Sequence, residues 1–321
     1  MVVIAAGCSF RTPSGAQDQI DAPGGDDGST HGDSGLPDQL GCWPRWHDHS
    51  IRFTTPGPSG VFDSRGGGSV DRDPSLADDL TLYFSSQRIQ NTSADLFVAT
   101  RTSIDMPFGA AIVPPHFSNI ERSFGDSKVS VSPDGLRVTL AGLNGGDSDI
   151  LESTRTTTSD DFGTPSTDGF SNVNDFSEQY DPSLTANGLK MYYAPVLSSG
   201  LQVISSTTRA ALDGEFADPV AEPGLESTQD RGDPWPSPDQ TVIVFSSRVN
   251  GTSDVDVYYA VRDAAGDPWK DVTHIPDVNS NANEGDPVLT SDGCQILFAS
   301  DRGHSTFSYT ILMATAKDDG S

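Results

Sequence analysis

Three periodicities in this 321-residue chain predict an all-β fold, a five-bladed β-propeller of four-stranded blades. A block opening on Asp-Pro or its equivalent returns as DPSLADDLTLYFSSQR from Asp73, VSVSPDGLRVTLAG from Val129, DPSLTANGLKMYYAP from Asp181, DPWPSPDQTVIVFSSR from Asp233 and DPVLTSDGCQILFASDR from Asp286. The central position of each block (Phe84, Leu140, Tyr193, Phe245, Phe298) recurs at spacings of 56, 53, 52 and 53. A second series of aromatics, Phe53, Phe108, Phe162, Phe216 and Trp269, recurs at 55, 54, 54 and 53. Self-similarity at this length, with several short strands per unit, is the pattern of a radially repeated sheet.

Each element follows in order. The Asp-Pro block opens the first strand. Tight-turn residues such as Pro133-Asp134-Gly135 and Ser291-Asp292-Gly293 lead into the second. There Leu82/Phe84, Val138/Leu140, Met191/Tyr193, Ile243/Phe245 and Ile296/Phe298 sit two apart, the spacing of one buried strand face. A third strand is expected around Leu96–Val98, Ile150–Leu151, Val203–Ile204, Val257–Tyr259 and Ile311–Met313. The second aromatic series opens the outer strand, followed by a polar turn pair at Asp63-Ser64, Glu226-Ser227 and Asn279-Ser280. The outer segment from Phe53 precedes the first block, and the last unit ends near Ala316 without one. The N-terminal outer strand is therefore expected to complete the last blade, leaving no free strand edge. Residues 41–50 are too few for a sixth blade.

Composition agrees. Hydrophobic residues make up only 34%, while Gly (32) and Pro (22) are abundant, as short strands joined by tight turns require. No apolar run approaches the roughly 18 residues of a membrane-spanning helix. No long stretch has 3.6-residue apolar periodicity, so almost no helix is expected. The net charge is −27, with only four lysines, and residues 9–40 carry about −5 of it. Such a surface repels nucleic acid, whose recognition needs a basic footprint.

The opening MVVIAAGC looks like a bacterial lipobox at Ile4–Cys8, which implies a lipid on Cys8. Only seven residues precede Cys8, short for a secretion signal, so an upstream start is expected. The Gly/Ser/Asp/Pro-rich stretch 9–40 cannot build a core and reads as a tether. The resulting organisation is 1–8 truncated signal and lipobox, 9–40 tether, 41–317 propeller and 318–321 tail. Ser9 after the cysteine implies an exported outer-membrane lipoprotein facing the periplasm or the cell surface. Setting Cys8 aside leaves Cys42 and Cys294 as an even pair. Closure of the ring would make their regions neighbours, and a disulfide there would fasten the seam.

The stretch WKDVTHIPDVNSNANEGDPVLTSDGCQILFASDRG, Trp269 to Gly303, resembles the WD40-like Asp-Pro repeat (PD40) of TolB-type propellers and peptidoglycan-associated proteins. The likeness runs over roughly 53–316. Blade 2 departs from it by lacking Asp-Pro, and blade 3 by offering Val196-Leu197-Ser198-Ser199 in place of Ser-x-Arg. The resemblance implies fold more strongly than function.

Candidate sites are few. Asp73, Asp181, Asp233 and Asp286 could ring one end of the axial channel, where converging carboxylates would suit Ca²⁺ or a basic ligand; alternatively each caps its own turn or accepts backbone N–H groups beside its Pro. Arg88, Arg248 and Arg302, with Asp95, Asp254 and Asp256, read as anion-binding groups or as a staple across the turn between strands two and three. His47-x-His49 could bind a metal but has no companion ligands in the sequence. No nucleophile-elbow, phosphate-loop or zinc-protease motif is present. The expected function is a monomeric, non-enzymatic scaffold without an obligatory cofactor, binding an envelope protein or a glycan such as peptidoglycan. The alternative is a glycan-active enzyme with acid and base carboxylates in the axial funnel.

Overall fold

The computed structural model describes residues 41–318, except 62–69, 89–94, 122–127, 145, 175–177, 250–253 and 304–307. Cys8, the 9–40 stretch and the Asp63-Ser64 pair lie outside the described residues. Among the described residues helix is confined to α1 (Trp43–His47) and α2 (Ser118–Glu121).

After α1 and the short β1 (Gly57–Pro58), the strands fall into five antiparallel groups. Blade 1 is β2 (Asp71–Asp78), β3 (Thr81–Ser86) and β4 (Asp95–Thr100); blade 2 is β5 (Val129–Val131), β6 (Arg137–Asn144) and β7 (Asp147–Thr154). In these two the fourth strand is reduced to single bridges, Val98 to Ile112 and Glu152 to Ser166. Blade 3 is β8 (Gln179–Leu184), β9 (Lys190–Pro195), β10 (Ser205–Thr208) and β11 (Val220–Ala221). Blade 4 is β12 (Arg231–Pro236), β13 (Val242–Arg248), β14 (Val255–Val261) and β15 (Lys270–His274). Blade 5 is β16 (Glu284–Leu289), β17 (Gln295–Ser300), β18 (Thr310–Thr315) and β1, with a further bridge from Phe53 to Ala316. The two ends of the described chain thus share one sheet, as the missing outer segment of the last unit predicts. The first strands β2, β5, β8, β12 and β16 contact one another in a closed ring around the axis.

The core consists of five clusters, one in each gap between neighbouring blades. Leu82 and Phe84, for example, pack with Val288, Leu297 and Ile311 of blade 5. The second strands are consequently buried on both faces: Leu297 between Ile296 and Phe298, and Val244 between Ile243 and Phe245, are as inaccessible as their neighbours. The spacing of two therefore selects which gap a side chain fills, not whether it is buried. A blade sandwiched between two others has no solvent face.

At the seam, the sulfur atoms of Cys42 and Cys294 are bonded, with Cα atoms 5.1 Å apart and a sequence separation of 252. Trp46, fully buried, packs on Phe53 and edge-on to Tyr259, and its indole N–H donates to the Gly293 carbonyl at 2.9 Å.

Candidate functional site

The four repeat aspartates occupy one recurrent backbone feature. Asp73, Asp181, Asp233 and Asp286 all have positive φ, between 52° and 56°. Each sits where the register of the first strand slips against the second, a β-bulge. Asp tolerates this left-handed region better than most residues, and the following proline disfavours the right-handed helical alternative. Repeated bulges turn the carboxylates towards one another: oxygens of Asp73, Asp233 and Asp286 all lie within 4.8 Å of each other. Asp73, Asp181 and Asp286 are buried, and Asp233 is partly so.

The fifth place belongs to Lys128, which is 2% exposed. Asp181, Asp233 and Asp286 stand seven residues before Gly188, Gln240 and Gly293 of their turns, and Lys128 stands seven before Gly135. Blade 2 thus places an ammonium where the other blades place a carboxylate, and its Nζ approaches the Pro287 carbonyl at 3.5 Å.

Hydrogen bonds run from blade to blade. The Asp233 amide donates to Asp181 Oδ2 at 3.4 Å, the Asp286 amide to Asp233 Oδ2 at 3.4 Å, and the Asp73 amide to Asp286 Oδ2 at 3.2 Å. The Ser85 hydroxyl donates to Asp73 at 2.6 Å. Each of these three acids therefore caps the bulge of the next blade, accepting the N–H just before that blade's Pro and not one beside its own. Arg72 adds a second cation, its Nε 3.3 Å from Asp286, with the guanidinium stacked on Tyr309. Burial, then the charge of Asp286, pushes Asp73 well above the ordinary carboxylate value; burial, then Asp233, does the same to Asp181. Asp233 is pushed up to about 6 by burial and by Asp286. Asp286 itself holds the Arg72 guanidinium more firmly protonated. The ring can thus hold protons at mildly acidic pH.

The other candidates have structural partners. Arg88 pairs with Asp71 at 2.8 Å and lies over Phe84 and Phe97; Arg302 pairs with Glu284 at 2.9 Å; Arg248 meets Asp230 at 3.2 Å. These ion pairs tie the second strand to the start or approach of the first. His47 bonds Thr241 and His49 bonds Tyr259, so the two imidazoles diverge.

Along the axis, on the side of the turns between strands one and two, lies a cavity of about 620 Å³. Every blade contributes to it the residue three places after its ring position: Leu76, Val131, Leu184, Pro236 and Leu289. Trp235, partly exposed, lines it at a position occupied in the other blades by Ser75, Ser130, Ser183 and Val288.

These features define a class: a five-bladed β-propeller. Solved structures with this architecture include a thermostable family-43 glycoside hydrolase, at 12% identity over 81% of this chain and 96% of that one, TM-score 0.56. An endo-arabinase from Bacteroides thetaiotaomicron is 15% identical over 84% of this chain and 99% of that one, TM-score 0.54. TolB from Acinetobacter baumannii is also a neighbour, at 14% identity, 78% of this chain and TM-score 0.46; the chain spans 55% of its length. At such identities the likeness concerns the fold alone. No family model and no curated protein matches the chain.

Proposed function

We propose that this protein is a non-catalytic binding propeller, a scaffold for an envelope protein or glycan, tethered by a lipid on Cys8. The observation supporting it is the equivalence of the axial acids. Asp181, Asp233 and Asp286 each accept the main-chain N–H of the next blade, and Lys128 stands in the same ring. Catalytic acid–base pairs are differentiated groups placed on either side of a reacting bond. A ring of equivalent carboxylates that cap the bulge of the next blade serves closure instead. The Ile4–Cys8 motif supports the tether and export to the outer membrane, and incorporation of labelled acyl chain into the full chain but not Cys8→Ser tests it.

The glycan-active reading has one observation in its favour. The Asp233 carboxyl, pushed up to about 6 by burial and by Asp286, has the raised value of a general acid, in a fold shared with glycoside hydrolases. Reducing-end release from arabinan, xylan and peptidoglycan fragments separates the two. The scaffold reading expects none above background. Release abolished by Asp233→Asn with the fold retained would establish the enzyme instead. Calcium titration of the same protein checks whether the ring admits a cation besides Lys128.

A further inference from the structure

We infer that the axial cavity between the strand-one/strand-two turns is a binding site for a small organic cation with an apolar body. This deepens the scaffold reading by naming a ligand class. At about 620 Å³ the cavity has the size of a small-molecule site. One ring of its wall is apolar by construction, because Leu76, Val131, Leu184, Pro236 and Leu289 come from the same step of five repeats. Trp235 breaks the five-fold pattern and offers an indole in the lining, the aromatic surface best suited to a cation.

The charge of the lining selects the ligand's sign. Asp78, Asp79 and Asp134 face the cavity. Their hydrogen-bond donors are neutral: Asp78 accepts the Leu80 amide, Asp79 the amide and hydroxyl of Ser291, and Asp134 the Ser132 hydroxyl and Leu136 amide. Of the two lining arginines one is paired with acids and the other keeps its charge, which leaves three carboxylates facing one uncompensated guanidinium. Arg137 pairs with Glu152 and Asp213, while Arg155 donates to the Gly135 carbonyl at 2.7 Å and lies over Phe162. Hydrogen bonds from Ser132 and Leu136 hold Asp134 below the ordinary carboxylate value, so it stays charged at neutral pH. A concave acidic site in a chain of net charge −27 concentrates cations.

The test uses full-length protein and three phenyl compounds of similar size: phenyltrimethylammonium, benzyl alcohol and phenylacetate, followed by calorimetry and tryptophan fluorescence. Saturable binding of the ammonium is expected, at least tenfold tighter than the alcohol, with none of the acid. Trp235→Leu and the double variant Asp78→Asn/Asp134→Asn should each weaken it about tenfold. The Asn variant keeps the turn, since Asn187 makes the same contacts to Thr185 and Leu189 in blade 3. No saturation by the ammonium, equal binding of the alcohol, or unchanged affinity in both folded variants would overturn the inference. The scaffold reading stands or falls separately on the hydrolysis assay.

Discussion

At the scale of single residues, the axial ring sets two opposing demands. Four carboxylates must be desolvated together, and burying like charges is costly unless cations or protons compensate them. Lys128 and Arg72 supply two charges, and the raised values of Asp73, Asp181 and Asp233 supply protons. Lys128→Ala removes the buried cation. A loss of about 3–5 kcal/mol at neutral pH is expected by urea denaturation, smaller near pH 4 where the ring is protonated. The sign of the ring's own pH dependence follows from Asp233. Between 3.8 and about 6 the folded protein binds a proton that the unfolded chain releases, so this residue's contribution falls as pH rises across that window and is level above it. Asp233→Asn should therefore gain stability relative to the parent from pH 4 to 6; a flat difference curve would refute the assignment. The four aspartates were legible as a repeat. Lys128 was not, because the block of blade 2 reads from Val129, although its seven-residue distance to Gly135 carries the signal.

At the scale of elements, one staple escaped the sequence reading. Arg101, Arg155, Arg209 and Arg262 each close the third strand by donating Nε to the carbonyl of the turn between strands one and two, at 2.6–2.8 Å. Each guanidinium lies over the outer-strand aromatic seven residues on: Phe108, Phe162, Phe216 and Trp269, at 4.6, 4.3, 4.5 and 3.9 Å. The regular Arg-to-aromatic spacing was available; what it could not convey is that strand three reaches back to a turn on its own blade. Blade 5 has Ala316 near this place, and Trp46 donates to Gly293 instead, so α1 substitutes for the missing arginine. In Arg209 the staple is reinforced by Glu152 of blade 2 at 3.1 Å. Arg209→Ala should cost about 3–5 kcal/mol, the range for breaking a buried pair. Arg209→Lys should recover only part, since an ammonium cannot bond the turn carbonyl and the carboxylate in the same fork. Urea midpoints of both variants check this.

At the scale of the whole molecule, closure is the governing event. Five core clusters fill five gaps, and the gap between blades 4 and 5 also receives Cys42, Trp46, Ile51 and Phe53 from the start of the propeller. The Cys42–Cys294 link spans 252 residues. Its removal in Cys42→Ser should lower stability by up to about 5 kcal/mol in the loop-entropy description. Thermal unfolding with and without reductant should show the same loss in the parent and no effect of reductant in the variant.

Architecture was readable from the chain because each blade repeats a local pattern: turn, paired strands and an outer aromatic at a constant interval. Those signals depend on neighbours in sequence. The meaning of the repeated residues was decided in three dimensions. Whether Phe84 and Leu297 share a gap, whether Lys128 completes a ring of acids, and whether Trp46 replaces an arginine all depend on contacts between different parts of the closed ring. Only its closed geometry brings these groups together, and with them the charges and apolar surfaces from which the candidate sites are built.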